Sequence, residues 1–180
     1  MSLPTIDVSL AIATALPLWW AVPDVLAGTS MPLLHPGRRE NLESTIDAYS
    51  DDLSLLYSAG IRAIVCLLDF PHLAHIYSSA GFAVHMVPVP DGGCPTQEQF
   101  TSFLHFIDHQ RSVGHPVAVH CVAGRGRTGT LIAGYLIANS YTLDSALAHV
   151  RSLQSFAVET SHQLNFLREL ANRWDSFYSR

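Results

Sequence analysis

Apolar residues recur along this chain with two alternating periods. Three short runs are almost continuously apolar: Ile61 to Leu68, Phe82 to Val89 and Pro116 to Val119. Such runs predict strands buried on both faces of a sheet. Between them the spacing is helical. Ile46, Tyr49, Leu53 and Leu56 share one side of a stretch that Gly60 ends, and Pro71 to Ser79 predicts a short helix closed by Gly81. Thr96-Gln97-Glu98-Gln99 reads as a capping box, with Phe100, Phe103, Leu104 and Ile107 at helical spacing behind it. Leu131, Ile132, Tyr135, Leu136 and Ile137 predict a buried helix directly after the third strand. Thr142 caps another helix with Leu143, Ala146, Leu147 and Val150 on one face. A last helix runs from about Thr160, with Leu164, Leu167, Leu170, Trp174 and Phe177 inward. Strands alternating with helices indicate an α/β fold, a single domain over 1–180 with a central, mostly parallel sheet flanked by helices. Ligands of such sheets bind beyond the carboxyl ends of the strands. Asp91 ends the second strand segment and Cys121 the third, so parallel strands place both on one rim.

The first twenty-two residues break this rhythm. Ser9 to Val22 is apolar, no Arg or Lys precedes it, and Pro17 interrupts it. That fits neither a signal peptide nor a spanning helix of ~20 residues. The expectation is an apolar N-terminal arm over residues 1–22, packing Trp19 and Trp20 on the domain, with no stable membrane insertion. Met31 to Asn41, carrying Pro32, Pro36, Gly37 and the Arg38-Arg39 pair, predicts a loop.

Composition narrows the partners. A length of 180 residues suits one domain with its own core, and 48% hydrophobic with 14% charged residues describes a compact soluble protein. A net charge of −5 and a pI near 6.0 give no broad basic face, so no nucleic-acid partner is expected. All ten basic residues are arginine. The three cysteines, Cys66, Cys94 and Cys121, show neither paired metal-ligand spacing nor a disulfide framework. No metal or cofactor is therefore expected, and the setting is a reducing cytoplasm.

The candidate chemistry is concentrated in eight residues, His120-Cys121-Val122-Ala123-Gly124-Arg125-Gly126-Arg127. A strand, a glycine-rich turn and a helix N-terminus make an anion cradle, lined by Val122, Ala123, Gly124, Arg125, Gly126 and Arg127. The same field favours a thiolate on Cys121, the candidate nucleophile; a lone cysteine is more often an inert packing residue, but the surrounding turn and arginine argue otherwise. Arg127 offers a planar fork for two phosphate oxygens, and it stands at a helix start where the dipole disfavours a cation without a ligand. Asp91, between Pro90 and Gly92-Gly93, is the candidate general acid; Asp-Gly is also a common turn pair, and Asp69, Asp108 and Glu159 compete for the role. His120 is placed to orient the loop by hydrogen bonding. Arg125 occupies the middle of the loop, where its side chain can point out toward a substrate.

The run His-Cys-x5-Arg-Thr from His120 to Thr128 resembles the active-site loop of the cysteine-dependent protein tyrosine phosphatase superfamily. The size of the chain and its flanking segments resemble the small atypical dual-specificity branch. Trp20 to Gly28 resembles the opening segment of those enzymes, Val87-Pro88-Val89-Pro90-Asp91 their general-acid loop, and Val158-Glu159-Thr160 with Gln163 the loop entering their last helices. The resemblance implies a phosphatase-type active loop between a strand and a helix, and hydrolysis of phosphate monoesters through a cysteinyl-phosphate intermediate. It further implies that the Thr128 hydroxyl helps the thiolate leave in the second step, and that Gln163 orients the hydrolytic water. Serine stands at Ser161 where the family has an aromatic residue.

Rival readings fall on specific residues. Gly124-x-Gly126-x-x-Gly129 is formally a dinucleotide fingerprint, but the chain after it reads as wholly helical and supplies no second strand with a ribose-binding acid. The absence of lysine excludes a Walker loop. A sulfur-transferring cysteine loop needs no distant aspartate, and a phosphopeptide-binding module needs no intact Cys121, Arg127 and Asp91. The substrate expected is a phosphorylated protein or peptide; the alternative is a phosphoinositide or another polyphosphate, because Arg125 adds positive charge beside the phosphate.

Overall fold

The computed structural model describes residues 16–32 and 45–178. Along it run β1 (Trp19–Val22), β2 (Leu26–Thr29), α1 (Thr45–Ser58), β3 (Ala63–Cys66) and α2 (Pro71–Ser79). They are followed by β4 (Ala83–Met86), α3 (Gln97–Ser112), β5 (Val117–His120), α4 (Gly126–Ala138), α5 (Leu143–Leu153) and α6 (Ser161–Tyr178). The five strands form one sheet in the order β1-β2-β5-β3-β4. Only the β1–β2 pair is antiparallel. This is the mostly parallel α/β architecture that the alternation of runs and helical spacings predicts.

Period-two burial sends alternate residues of each strand to opposite faces. Val65, Val117 and Val119 meet Phe100, Phe103, Leu131, Leu136 and Val150 on the side covered by α3, α4, α5 and α6. Ile64, Cys66 and Ala118 meet Leu53, Leu56, Leu73 and Tyr77 on the side covered by α1 and α2. The central strands β3 and β5 are buried at every position, which is why they read as unbroken apolar runs. Residues Gly126 to Ile137 of α4 are all buried. Thr96 closes its capping box with Gln99, and the Thr142 hydroxyl accepts from the Ser145 N–H.

Two strands differ from the sequence reading. Trp19–Val22 is an edge strand rather than part of a packed arm, and Leu26–Thr29 pairs with β5. Trp19 and Ala21 are buried while Trp20 and Val22 are half-buried; four apolar residues in a row hide this alternation. Gly28 is paired with Trp19 across the ladder, and a Cβ there would overlap the indole ring. The ladders are shorter than the predicted runs, but their flanks stay hydrogen-bonded. Leu67 N–H donates to His120 O, Val87 N–H to Cys66 O and Val89 N–H to Leu67 O, so the backbone is held as far as the approach to Asp91. The arm before residue 16, the Arg38-Arg39 pair, and the side chains of Ile46, Tyr49, Trp174 and Phe177 lie outside the described residues.

The sheet register aligns Thr29, His120, Cys66 and Met86 in one row across four parallel strands. The segments leaving that row build the site.

Candidate active site

Cys121 is the first residue beyond the row and is buried, with 3% exposure. The chain then turns through Val122 to Arg125 into the N-terminus of α4. Gly124 makes the turn with a φ of +68°, and a Cβ at this position would meet the Thr29 carbonyl oxygen and, at 2.6 Å, the Ser30 nitrogen. Glycine is required there both by the positive φ and by this close approach. Met31 N–H donates to Val122 O at 2.9 Å, so the segment leaving β2 backs the loop. Among the described residues, none of the N–H groups of Val122, Ala123, Gly124 and Arg125 donates to a backbone carbonyl. Four donors without a backbone acceptor among the described residues, at the start of a buried helix, are the physical content of an anion nest.

Arg127 projects from the first turn of α4 and is 7% exposed. Its Nη1 donates to Val89 O at 3.0 Å, and its Nη2 lies 2.8 Å from Asp91 Oδ1. The Asp91 side chain is 93% exposed, so this pair has one buried and one solvated end. One guanidinium thus joins the loop after β5 to the loop after β4.

A second set of bonds holds the loop after β4 from the other side. Thr160 Oγ1 donates to Gly92 O at 2.8 Å, and Gln163 Nε2 to Gly93 O at 3.1 Å. Gln163 Oε1 accepts from the N–H groups of Glu159 (2.8 Å) and Thr160 (3.2 Å). The buried glutamine therefore caps the start of α6 and ties it to Gly93, leaving one Nε2 hydrogen for another acceptor. The segment before α6 is shaped by α4: a Cβ on Gly129 would lie 2.7 Å from Ala157 Cβ, and one on Gly126 would run into Glu159 Oε2. Val158 has a φ of +62°, a strained conformation for a β-branched residue. Arg151 holds it, its Nε and Nη2 donating to the carbonyls of Ala157 and Val158 at 3.2 Å each.

His120 is buried, and its Nδ1 lies 3.0 Å from the Cys121 carbonyl oxygen. A carbonyl only accepts, so Nδ1 carries the hydrogen and the ring is neutral at Nε2. Burial pushes its pKa down to about 4; the bond to Cys121 opposes this and the Arg127 charge adds to it. Its ring stands edge-on to Tyr77, at 5.5 Å. The Thr128 hydroxyl is buried and has no hydrogen-bond partner among the described residues. Cys66, beside His120 in the sheet, is held up at about 11 by burial, with a further push from Cys121.

These groups surround a cavity of about 360 Å³ lined by Asp91, Cys121, Val122, Ala123, Arg125, Gly126, Arg127, Glu159 and Gln163. Of the competing carboxylates, Glu159 lines this cavity while Asp69 and Asp108 do not. Sequence reasoning missed the contribution of Thr29 to Met31 and of Arg151. A glycine in a turn hints that another backbone passes close, but only the fold says that β2 supplies it. An arginine on a helical surface carries no signal at all.

The fold and this site define a class: an α/β protein whose strand–loop–helix cradle carries a cysteine and an arginine, faced by an aspartate from the neighbouring loop. A sequence model of the family described as "Polymorphic toxin system, DSP-PTPase phosphatase" matches residues 40–141, more than half of the chain. Protein tyrosine phosphatase PRL-1 of Trypanosoma cruzi is 31% identical over 128 residues, covering 69% of this chain and 70% of that protein. Dual specificity protein phosphatase CDC14C of Symphalangus syndactylus is 32% identical over 120 residues. The match covers 66% of this chain but only 23% of that protein. The chain spans about a quarter to a third of the length of the CDC14 relatives it matches. The crystal structure of Tk-PTP in the active form superposes with a TM-score of 0.70 at 25% identity, covering 87% of this chain and 97% of that one. A mouse putative dual specificity phosphatase shares the fold, with a TM-score of 0.69 at 20% identity over 98% of this chain and 96% of its own. The chain belongs to the cysteine-based protein tyrosine phosphatase superfamily, among its small atypical dual-specificity members.

Proposed function

We propose that the protein is a phosphatase of phosphate monoesters, phosphotyrosine first and phosphoserine or phosphothreonine after it, working through a cysteinyl-phosphate intermediate. The observation that carries this reading is the floor of the cavity. Cys121 lines it together with Val122, Ala123 and Arg125, whose N–H groups find no backbone acceptor among the described residues, and Arg127 lines it from the helix start. The phosphate dianion takes the place of the Asp91 carboxylate in the arginine fork, where two parallel bonds hold it better than one point charge would. Cys121 Sγ attacks phosphorus and the ester P–O bond breaks. The leaving oxygen takes the proton of Asp91, giving cysteinyl phosphate and the free alcohol. Water then attacks phosphorus and gives its proton back to Asp91, while the S–P bond breaks and the thiolate departs toward the Thr128 hydroxyl. The remaining Nε2 hydrogen of Gln163 is the group offered to that water. His120 braces the loop through the Cys121 carbonyl, without entering the proton transfer. A reducing compartment such as the cytoplasm suits three free cysteines, of which one must stay a thiolate.

The experiment is hydrolysis of a generic aryl phosphate with acid quench and mass spectrometry. Wild type shows turnover and a phosphate adduct of 80 mass units (about, for HPO3 on a thiol) on the Cys121 peptide. Cys121→Ser shows neither, yet still binds phosphate, because the N–H groups and Arg127 remain. Absence of turnover with phosphopeptide binding intact points instead to a binding module. A phosphoinositide or other polyphosphate is the alternative substrate on the same scaffold, and the second arginine at the cavity, Arg125, is the observation on its side.

A further inference from the structure

Phe156 is the most exposed of the large hydrophobic residues described, at 59%. It stands in the connection between α5 and α6, outside the motifs that mark the site. Its ring lies under the Arg125 guanidinium, 5.0 Å from ring centroid to Cζ, within the range of a cation–π contact. Arg125 itself lines the cavity above Cys121, and among the described residues it has no acidic partner and no hydrogen-bond acceptor. A flexible cation at the mouth of an anion site is thus laid on an aromatic face. Its N–H edge stays available for a ligand, since stacking occupies only the face of the guanidinium.

Charge decides what that ligand is. The cavity is lined by two guanidinium groups, Arg125 and Arg127, and by two carboxylates, Asp91 and Glu159. Arg127 is taken by the reacting phosphate in the function proposed above. One cation remains for one further negative group, with Glu159 repelling any second one. A polyphosphate head group would bring several charges to a wall that offers one partner. A peptide brings a single carboxylate, and its apolar atoms can cover the exposed edge of Phe156.

We infer that Phe156 is a specificity residue: it holds Arg125 at the mouth of the site to receive an acidic side chain flanking the phosphotyrosine of a peptide substrate. This rests on the phosphatase reading, and the test separates the two. The measurement is kcat/KM of the full chain on phosphotyrosyl peptides that carry Glu, or Gln in its place, on either side of the phosphorylated residue. 4-Nitrophenyl phosphate serves as a substrate without flanks. Wild type prefers a Glu peptide by about two- to fivefold, as expected for a half-solvated ion pair, and the preference shrinks at high salt. Phe156→Ala and Phe156→Leu abolish the preference, Phe156→Tyr keeps it, and all three turn over 4-nitrophenyl phosphate within about twofold of wild type. Arg125→Ala also abolishes it, and adding Phe156→Ala changes the peptide ratio no further, because the two residues act as one unit.

A Glu preference that survives in Phe156→Ala overturns the inference. Full retention in Phe156→Leu also overturns it, since bulk without a π face then suffices. An inositol bisphosphate head group turned over faster than the Glu peptides, with that advantage lost in Phe156→Ala, assigns the platform to polyphosphates and removes the peptide. Normal aryl phosphate turnover without any Glu preference removes this inference and leaves the phosphatase reading standing. No turnover of any phosphoester by wild type removes both.

Discussion

At the scale of single residues, the site is defined by what is left unpaired and by what is paired for the moment. Asp91 is held at 2.8 Å by Arg127, the group that a phosphate would claim. In the reaction proposed above, Asp91 displaced from the fork is the group that protonates the leaving oxygen. Asp91→Asn should therefore slow alkyl or unactivated phenyl phosphates by about 10² or more, while activated aryl phosphates lose little, because good leaving groups depart unprotonated. Rates across a leaving-group series check this, and equal losses at both ends would transfer the acid role to Glu159. His120 carries a prediction about stability. Its folded pKa of about 4 lies below the ordinary 6.5, so the unfolded chain takes up a proton first as pH falls. The stability it contributes is complete above pH 6.5 and is lost down to about pH 4, of order 3 kcal/mol in all. Urea unfolding of His120→Gln between pH 7.5 and 4 should lack that part of the acid limb; an unchanged limb would assign it to other groups.

At the scale of elements, the site is a meeting of three loops, each held by a different neighbour. The loop after β5 rests on the exit of β2 through Gly124 and Met31. The loop after β4 is gripped by Arg127 on one side and by Thr160 and Gln163 on the other. The segment before α6 is pressed on Gly129 and clamped by Arg151. Thr160→Val keeps the volume and deletes both bonds of Oγ1, the one donated to Gly92 O and the one accepted from Gln163 N–H at the start of α6. The bond to Gly92, about 1 kcal/mol, is the one that holds the acid loop, and its loss should lower turnover of poor leaving groups about fivefold through a looser Asp91. KM for phosphate esters should stay put, because the cradle of Val122 to Arg127 is untouched. A rise in KM with kcat unchanged would place Thr160 in binding instead of in holding the acid loop.

At the scale of the whole molecule, the sheet gathers cysteines that are far apart in sequence. Cys66 ends β3 beside His120, one residue from Cys121, while Cys94 lines a separate groove between α3 and α6. Proximity thus favours Cys66 over Cys94 as the thiol that meets an oxidised Cys121. The disulfide forms when Cys66 Sγ attacks the sulfenic sulfur of Cys121 and water leaves; burial, which holds Cys66 protonated, makes this attack slow. Dilute peroxide should inactivate the protein reversibly, with a Cys66–Cys121 disulfide found by peptide mapping, and Cys66→Ser should make the inactivation harder to reverse with dithiothreitol. Recovery unchanged in Cys66→Ser and lost in Cys94→Ser would move the protective role to Cys94.

Much of this was legible in the chain. The strand runs, the two capping threonines at Thr96 and Thr142, and the buried helix after Cys121 follow from periodicity and local capping chemistry, which need no tertiary partner. The eight residues from His120 to Arg127 sit on one turn, so their cradle geometry is a local property as well. What the sequence concealed depends on distance across the fold. Trp19–Val22 gives no alternating signal because both of its faces find apolar neighbours, and only pairing with Gly28 reveals a strand. The Asp91–Arg127 pair, the anchoring of Gly92 and Gly93 by Thr160 and Gln163, and the seat of Arg125 on Phe156 join residues that lie 31 to 70 positions apart. No local propensity encodes such contacts. They exist because parallel strands bring their carboxyl ends to one rim, and the loops that leave that rim have nowhere else to pack.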